Sequence, residues 1–533
     1  MATNRRLRTL FLAGTIVGLI AATVSPAVAA PPAGAPVRAA AAIGIDLDTA
    51  TIPELQTLMD AGELTAVQLT QAYLGRIRDI DPLVNSVLAV SPQATAEAAA
   101  SDVRRRQGDL LGSLDGIPVL LKDNVTTVRQ PATAGSRALL RAEAERDAEL
   151  ARRLREAGAV ILGKVNLSEW ANFRSTNSSS GWSAVGGLTN NPHVLDRNAC
   201  GSSSGSGAAA AAALAQVTIG TETDGSIVCP SGANGVVGIK PTLGLISRSG
   251  VVPISAQQDT AGPMTRTVID SAITLAVLQG RDPSDPATLE IPADQPRDYT
   301  VGLTPGGLSG KRIGIWRLAG ASPEADAVVE ESVAALQLAG AETVDVELPF
   351  QEEAGEPEFV ALLAEFKHDL NAYLAATPGR HPADLAGLIE FNIADPVELR
   401  FFGQEIFEAA QASPAVTDPS IVAARQTATS LQRRAIDETL AAHDLDAIMA
   451  PTNSPAWRTT LGSGDAFVLG SSSPAAVSGY PNISVPAGFA GPLPIGVSFF
   501  GARWNELGLI RIAYAFEQNT QARRAPQLIP SIG

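Results

Sequence analysis

Apolar runs of strand length recur along this chain, and helical signals fill much of the space between them. Residues 117–121 (Ile-Pro-Val-Leu-Leu), 159–162, 217–220, 447–449, 483–485 and 495–499 are such runs, short enough to read as buried strands. Thr51 with Glu54 makes a capping box before a first helix that Gly62 ends, and Thr65 caps a second running to about Asp79. Residues 142–157 read as a helix leading directly into the strand at 159–162. Residues 208–215, a run of small side chains, lead in the same way into 217–220. Residues 323–443 read as mainly helical, with one strand at 343–346, and the last helix spans about 506–518. Residues 175–207 are rich in Ser, Gly and Asn and read as loop. Helix followed by strand, repeated, favours a largely parallel sheet covered by helices, an α/β architecture.

At 533 residues, 45% hydrophobic and 18% charged, the chain can bury a large core. A disordered chain, a coiled coil and a collagen-like fibre are excluded. Two cysteines exclude a disulfide framework and a Cys-rich zinc module. The four histidines (His193, His368, His381, His443) are scattered, with no His-x-x-x-His pair, so no metal site is expected. A net charge of −16 argues against nucleic-acid binding.

Residues 1–29 read as a signal peptide. Arg5, Arg6 and Arg8 form the positive start, residues 10–24 the apolar stretch, and Ala27-Val28-Ala29 the small residues before cleavage. Export by the Sec route or, given Arg5-Arg6, the twin-arginine route is expected. Cleavage removes three arginines and no acids, so the net charge of −16 becomes −19. No other apolar run reaches membrane-spanning length, so a secreted protein free of the membrane is expected. Residues 30–43 read as an Ala/Pro linker, 44–520 as the folded domain and 521–533 as a loose tail.

Lysine is used sparingly. Of 39 basic residues only five are lysine: Lys122, Lys164, Lys240, Lys311 and Lys367. Lys122 closes the apolar run Val119-Leu120-Leu121, where lost hydration lowers a lysine pKa. Moving it from about 10.4 to about 7.5 takes roughly 4 kcal/mol of destabilisation of the cation. A neutral lysine can act as a base, which arginine cannot. A snorkelling lysine at a strand end is the competing account, and Lys164, after the run 160–163, is a competing base. Downstream, Gly201-Ser202-Ser203-Ser204-Gly205-Ser206-Gly207 supplies hydroxyls on permissive backbone, and by composition is also an ordinary flexible loop. It contains Gly-x-Ser-x-Gly with Ser203 central, the form of an esterase nucleophile elbow, but residues 196–200 make a poor preceding strand. Gly220-Thr221-Glu222-Thr223-Asp224-Gly225-Ser226 follows a strand and can turn several N–H groups toward one point, as an oxyanion hole requires.

Taken in order, these segments resemble the amidase signature family. The similarity runs from Gly116-Ile117-Pro118-Val119-Leu120-Leu121-Lys122-Asp123-Asn124 through Cys200–Arg266, including Gly238-Ile239-Lys240-Pro241-Thr242 and Gln258-Asp259-Thr260-Ala261-Gly262-Pro263-Met264. Ala450-Pro451-Thr452 and Gly479-Tyr480-Pro481 extend it. The resemblance implies a single α/β domain with a mixed, twisted sheet flanked by helices. It also implies a Ser-Ser-Lys triad of Ser226 as nucleophile, Ser202 as bridge and Lys122 as base, with a cis peptide at Gly201–Ser202. The backbone N–H groups of Thr223, Asp224, Gly225 and Ser226 match its oxyanion hole, and no metal or organic cofactor is implied.

Many members have Gly-Gly-Ser at the nucleophile, where this chain has Asp224-Gly225-Ser226. That form, with Trp170-Ala171-Asn172-Phe173-Arg174-Ser175 and Ser180-Gly181-Trp182-Ser183, is similar to the bacterial peptide amidase branch, which releases ammonia from C-terminal peptide amides. Small-molecule or short-peptide amides are the implied substrates. A broad small-amide or aryl-acylamidase is the alternative within the same chemistry, and an esterase on Ser203 or a non-catalytic binding protein lies outside it. Specificity is expected from the helical insert of about 350–443. Lys240 and an Arg248–Asp259 pair are expected to be structural. Cys200 and Cys229 flank the site; a disulfide suits a secreted chain, the resemblance does not require one, and both also fit as packing residues.

Overall fold

The computed structural model describes residues 44–532; the expected signal peptide and linker lie outside them. Among the described residues the strands are β1 (Val87–Val90), β2 (Pro118–Lys122), β3 (Val160–Val165), β4 (Trp182–Ser183), β5 (Gly187–Leu188), β6 (Val217–Glu222), β7 (Val237–Lys240), β8 (Thr260–Thr265), β9 (Arg312–Ile315), β10 (Glu342–Asp345), β11 (Ala447–Pro451), β12 (Asn482–Ala490) and β13 (Leu493–Phe500). β4 and β5 pair with each other. The others form one 11-stranded sheet, ordered β1-β3-β2-β6-β8-β7-β12-β13-β11-β9-β10.

The sheet is mixed, as the family resemblance implies, and less parallel than helix–strand alternation suggests. β2 runs parallel to β3 and β6, and β9 runs parallel to β10 and β11. Antiparallel pairs from β6 through β8, β7, β12 and β13 to β11 join these two blocks. β8 (Thr-Ala-Gly-Pro-Met-Thr) lacks strand alternation and carries Pro263. It pairs with β6 along its length, whereas its ladder with β7 covers only Met264 and Thr265. Proline has no N–H to give to a ladder, so its presence in a sequence argues against a strand.

The capped helices form as their boundary residues dictate. Thr51 and Thr65 complete capping boxes with Glu54 and Gln68 for the helices Ile52–Asp60 and Ala66–Val84. Other boundaries differ from expectation. The 142–157 helix narrows to Glu149–Glu156. The backbone before it is committed elsewhere: Glu143 N–H donates to the Pro378 carbonyl and Ala148 N–H to Thr126. The small-residue helix is Ser204–Ala211, so the second part of the Gly/Ser run, from Ser204 to Gly207, is helical rather than loop. It is wholly buried, and a Cβ on Gly205 would sit 2.4 Å from the Asn166 carbonyl. Its glycine is there for close approach.

The main core packs the sheet against the helices Ala66–Val84, Val268–Leu278, Pro323–Leu338 and Glu506–Thr520. A second cluster joins the helices Gln351–Ala376, Leu385–Ala394 and Glu405–Ala412 to Ala132, Trp170, Val252 and Ile254. The helical insert thus sits over loops that border the ends of β2 and β6. The C-terminal tail is docked, not loose: Leu528 N–H donates to the Pro192 carbonyl and Leu195 N–H to Ile529. Ile529 and Ile532 pack on Val194, Ala456 and Leu493.

At the sheet centre a Cβ on Gly262 would lie 1.8 Å from the Ile239 carbonyl. Gly262→Ala must therefore separate β7 from β8 or shift both, and overpacking of this kind costs about 1–3 kcal/mol or more. Lower denaturant midpoint with an unchanged m-value, or loss of soluble protein, is the expected outcome.

Candidate active site

β2 and β6 are parallel neighbours, with Leu121 opposite Ile219, so their C-terminal ends meet at one edge of the sheet. Ligand sites gather at such ends. Lys122, the last residue of β2, is 0% exposed. Its Nζ lies 2.8 Å from Ser202 Oγ, 2.9 Å from Thr221 Oγ1 and 3.1 Å from the Thr221 carbonyl. Burial pulls its pKa down to about 7, against the upward pull of Asp259 and Glu222. Asn124 donates to Thr221 Oγ1 at 2.8 Å and fixes that hydroxyl.

Ser202 is fully buried and follows a cis peptide bond from Gly201. The Ser168 N–H donates to its carbonyl at 3.0 Å. The next residue joins the two serine segments, since Ser203 N–H donates to the Ser226 carbonyl at 3.1 Å. Among the described residues no hydrogen bond links the Ser202 and Ser226 hydroxyls. Ser226 Oγ makes none to protein and keeps some solvent exposure at 8% for the residue. Cys200 and Cys229 are bonded to each other, Cα–Cα 6.0 Å. This settles a pairing that the sequence left open: the disulfide ties the residue two before Ser202 to the residue three after Ser226.

The turn from β6 into the helix Val228–Asn234 is held from outside. Glu222 accepts from Ile227 and Val228 N–H at 2.7 and 3.0 Å. Thr223 Oγ1 donates to Asp259 at 2.6 Å, and the Thr223 carbonyl accepts from Gln258 Nε2 at 3.0 Å. The Asp224 carboxylate accepts from Ser472 and Ser473 hydroxyls at 2.6 and 2.7 Å, giving it a loop-orienting role. Gly225 has φ +76°, a conformation suited to glycine. Among the described residues none accepts a hydrogen bond from the N–H groups of Thr223, Asp224, Gly225 and Ser226. Four adjacent N–H donors beside an accessible serine hydroxyl are what a developing oxyanion requires.

Other expected residues separate cleanly. Lys164 gives its ammonium to the Val125 carbonyl and lies 3.7 Å from Asp123, so it serves an ion pair away from both serines. Lys240 donates to the Pro241 carbonyl. Arg248 does not pair with the Asp259 carboxylate; it forks onto Asp285 at 2.6 and 2.8 Å. Asp259 is taken by Thr223 and by the N–H groups of Ile254 and Ser255. Ser203 is buried and donates to the Thr221 carbonyl, so it is no esterase nucleophile. His193 has its Nε2 3.0 Å from the Asn234 carbonyl. Thr221, Asn124 and Gln258 escaped the sequence reading as supporting residues, although each lies inside a recognised segment. Glu358, Arg425, Ser472 and Ser473 carry no local signal at all.

Comparison with known proteins identifies the family and the fold. The amidase family profile matches residues 68–510. A probable amidase of Arabidopsis thaliana is 40% identical, covering 91% of this chain and 92% of its own length. The native peptide amidase of Stenotrophomonas maltophilia superposes with a TM-score of 0.85 at 49% identity, covering 90% of this chain and 98% of that one. A peptide amidase bound to the competitive inhibitor chymostatin gives 0.87 at 49% identity, covering 90% and 99%. The chain belongs to the amidase signature family. It is an enzyme that hydrolyses amide C–N bonds.

The disulfide spans 29 residues, and closing a loop of that size contributes about 3–4 kcal/mol through the unfolded state. The double variant Cys200→Ala/Cys229→Ala should lose that much in denaturant unfolding. Wild-type protein unfolded under a thiol reductant should match it.

Proposed function

We propose that the enzyme removes ammonia from C-terminal amides of short peptides, with Ser226 as nucleophile, Ser202 as proton bridge and Lys122 as base. The observation that carries the catalytic assignment is the buried Lys122 Nζ, 2.8 Å from Ser202 Oγ, beside the free N–H groups of Thr223–Ser226. A neutral amine has two hydrogens and one lone pair. The Thr221 carbonyl and Oγ1 take the hydrogens, leaving the lone pair for the Ser202 proton. Ser226 Oγ then attacks the amide carbon as its proton passes to Ser202 and that of Ser202 to Lys122. The carbonyl π pair moves onto oxygen and is met by the N–H groups of the turn. The proton returns through Ser202 to the leaving nitrogen, the C–N bond breaks and ammonia departs. Water repeats the sequence on the ester. The peptide-amide assignment is supported by the 49% identity to peptide amidase.

Export is part of the same proposal. Residues 1–29 have the order of a signal peptide, and a disulfide beside the site suits an oxidising compartment. Protein recovered from outside the cytoplasm should begin at Ala30 by N-terminal sequencing.

Ammonia release from a blocked dipeptide amide, run beside its anilide, tests the substrate. Turnover of the amide that falls at least about 10^4-fold in Ser226→Ala is expected. Cleavage of the anilide alone would move the substrate to the acylamidase class. Only neutral Lys122 is a base, and its pKa lies at about 7. Thus kcat/KM should rise about tenfold per pH unit below that value and level off above it. Lys122→Arg should be inactive at every pH.

A further inference from the structure

We propose that Gln258 is a positioning residue for the oxyanion turn, fixing the Thr223–Asp224 peptide plane and tying it to the helical insert. The proposal rests on the assignment of Thr223–Ser226 as the oxyanion hole. Gln258 is 1% exposed and sits just before β8. Its Nε2 donates to the Thr223 carbonyl at 3.0 Å and to Glu358 Oε1 at 2.7 Å, and its Oε1 accepts from Arg425 Nη1 at 2.8 Å. The amide cannot be turned over: its oxygen would then face a carbonyl and a carboxylate, and its NH2 a guanidinium.

A trans peptide is planar, with C=O and N–H on opposite sides. Holding the Thr223 carbonyl from one side therefore aims the Asp224 N–H to the other. Without that donor the plane can rotate and present an acceptor where the reaction needs a donor. The other two contacts of Gln258 belong to the insert. Glu358 lies on the helix Gln351–Ala376 and Arg425 on Pro419–His443. Arg425 is itself forked onto Glu365 at 2.6 and 2.8 Å, and Glu365 accepts from Ser255 at 2.6 Å. The two long helices are thereby joined to the turn through one carboxamide.

The exchange Gln258→Glu with Glu358→Gln separates the two roles. The new carboxylate at 258 still accepts from Arg425 and now accepts from the new amide at 358. It cannot donate to Thr223. Three variants would be compared: Gln258→Ala, Gln258→Glu and the double exchange. The readouts are thermal midpoint, kcat and KM on a dipeptide amide, and Ki for two ligands. One is a short peptide aldehyde, whose adduct with Ser226 carries an oxyanion; the other is the peptide acid.

Loss of one oxyanion donor costs about 10^2–10^3 in kcat. All three variants should lose about 10^2-fold in kcat, with KM within threefold. Aldehyde affinity should weaken in step and acid affinity should hold. The double exchange should regain the midpoint lost in Gln258→Glu without regaining kcat. Recovery of kcat together with the midpoint would overturn the proposal, as would a kcat loss below threefold in Gln258→Ala. Should Gln258→Ala fail to fold, the double exchange decides alone. Failure of the wild type to bind the aldehyde, or full activity in Ser226→Ala, would overturn the oxyanion assignment and this proposal together.

Discussion

Four neighbouring N–H groups without acceptors are rare in a folded chain, because an unpaired donor away from water is costly. The Thr223–Ser226 turn keeps them by bonding the other polar groups around it. Glu222 takes the next two N–H groups, Asp259 the Thr223 hydroxyl, Gln258 the Thr223 carbonyl, Ser472 and Ser473 the Asp224 carboxylate, and Ser203 the Ser226 carbonyl. What remains free is the run of four N–H groups that ends at Ser226. Much of the surrounding architecture is a means of delivering those partners: Glu222 from the end of β6, Gln258 and Asp259 from the approach to β8, and the serines from the start of the helix Ser473–Ser478.

Burial of Lys122 is the second constraint. Its position at the end of β2, enclosed by Ser202 and Thr221, removes the hydration that keeps an ammonium charged. Full compensation by a carboxylate would restore the cation. Asp259 and Glu222 are close enough to oppose the shift, yet each is engaged with the turn rather than with Lys122. The carboxylates that shape the oxyanion turn thus also moderate the lysine, so the two halves of the site share one electrostatic environment.

The candidate site residues were legible because they lie on short contiguous segments. Lys122 ended an apolar run in a chain poor in lysine, and Ser202 and Ser226 lay in ordered motifs. The helices at Ile52 and Ala66 were legible because Thr51 and Thr65 cap them through local bonds. β8 was hidden by Gly262 and Pro263, whose place in the sheet depends on its neighbours rather than on local pattern. The Gly/Ser run looked like loop because its composition reports flexibility in isolation, whereas close contact at Gly205 selects the same residues for a buried helix. The hub at Gln258 was beyond reach, since Glu358 and Arg425 lie 100 and 167 residues away.

The site is built in two parts. The two serine segments are locked by the Cys200–Cys229 bond and by the Ser203–Ser226 backbone contact, both within a short stretch of chain. The helical insert packs through a second apolar cluster, around Phe366, Leu370 and Phe407, that includes Trp170, Val252 and Ile254 from the loops but no residue of β2 or β6. The two must still register, because a loosely set insert would leave a bound amide misplaced relative to the oxyanion turn, and small errors of position cost large factors in rate. A saturated carboxamide such as Gln258 suits that task. Its planar group accepts from one helix and donates to the other and to the turn, with both amide hydrogens in use.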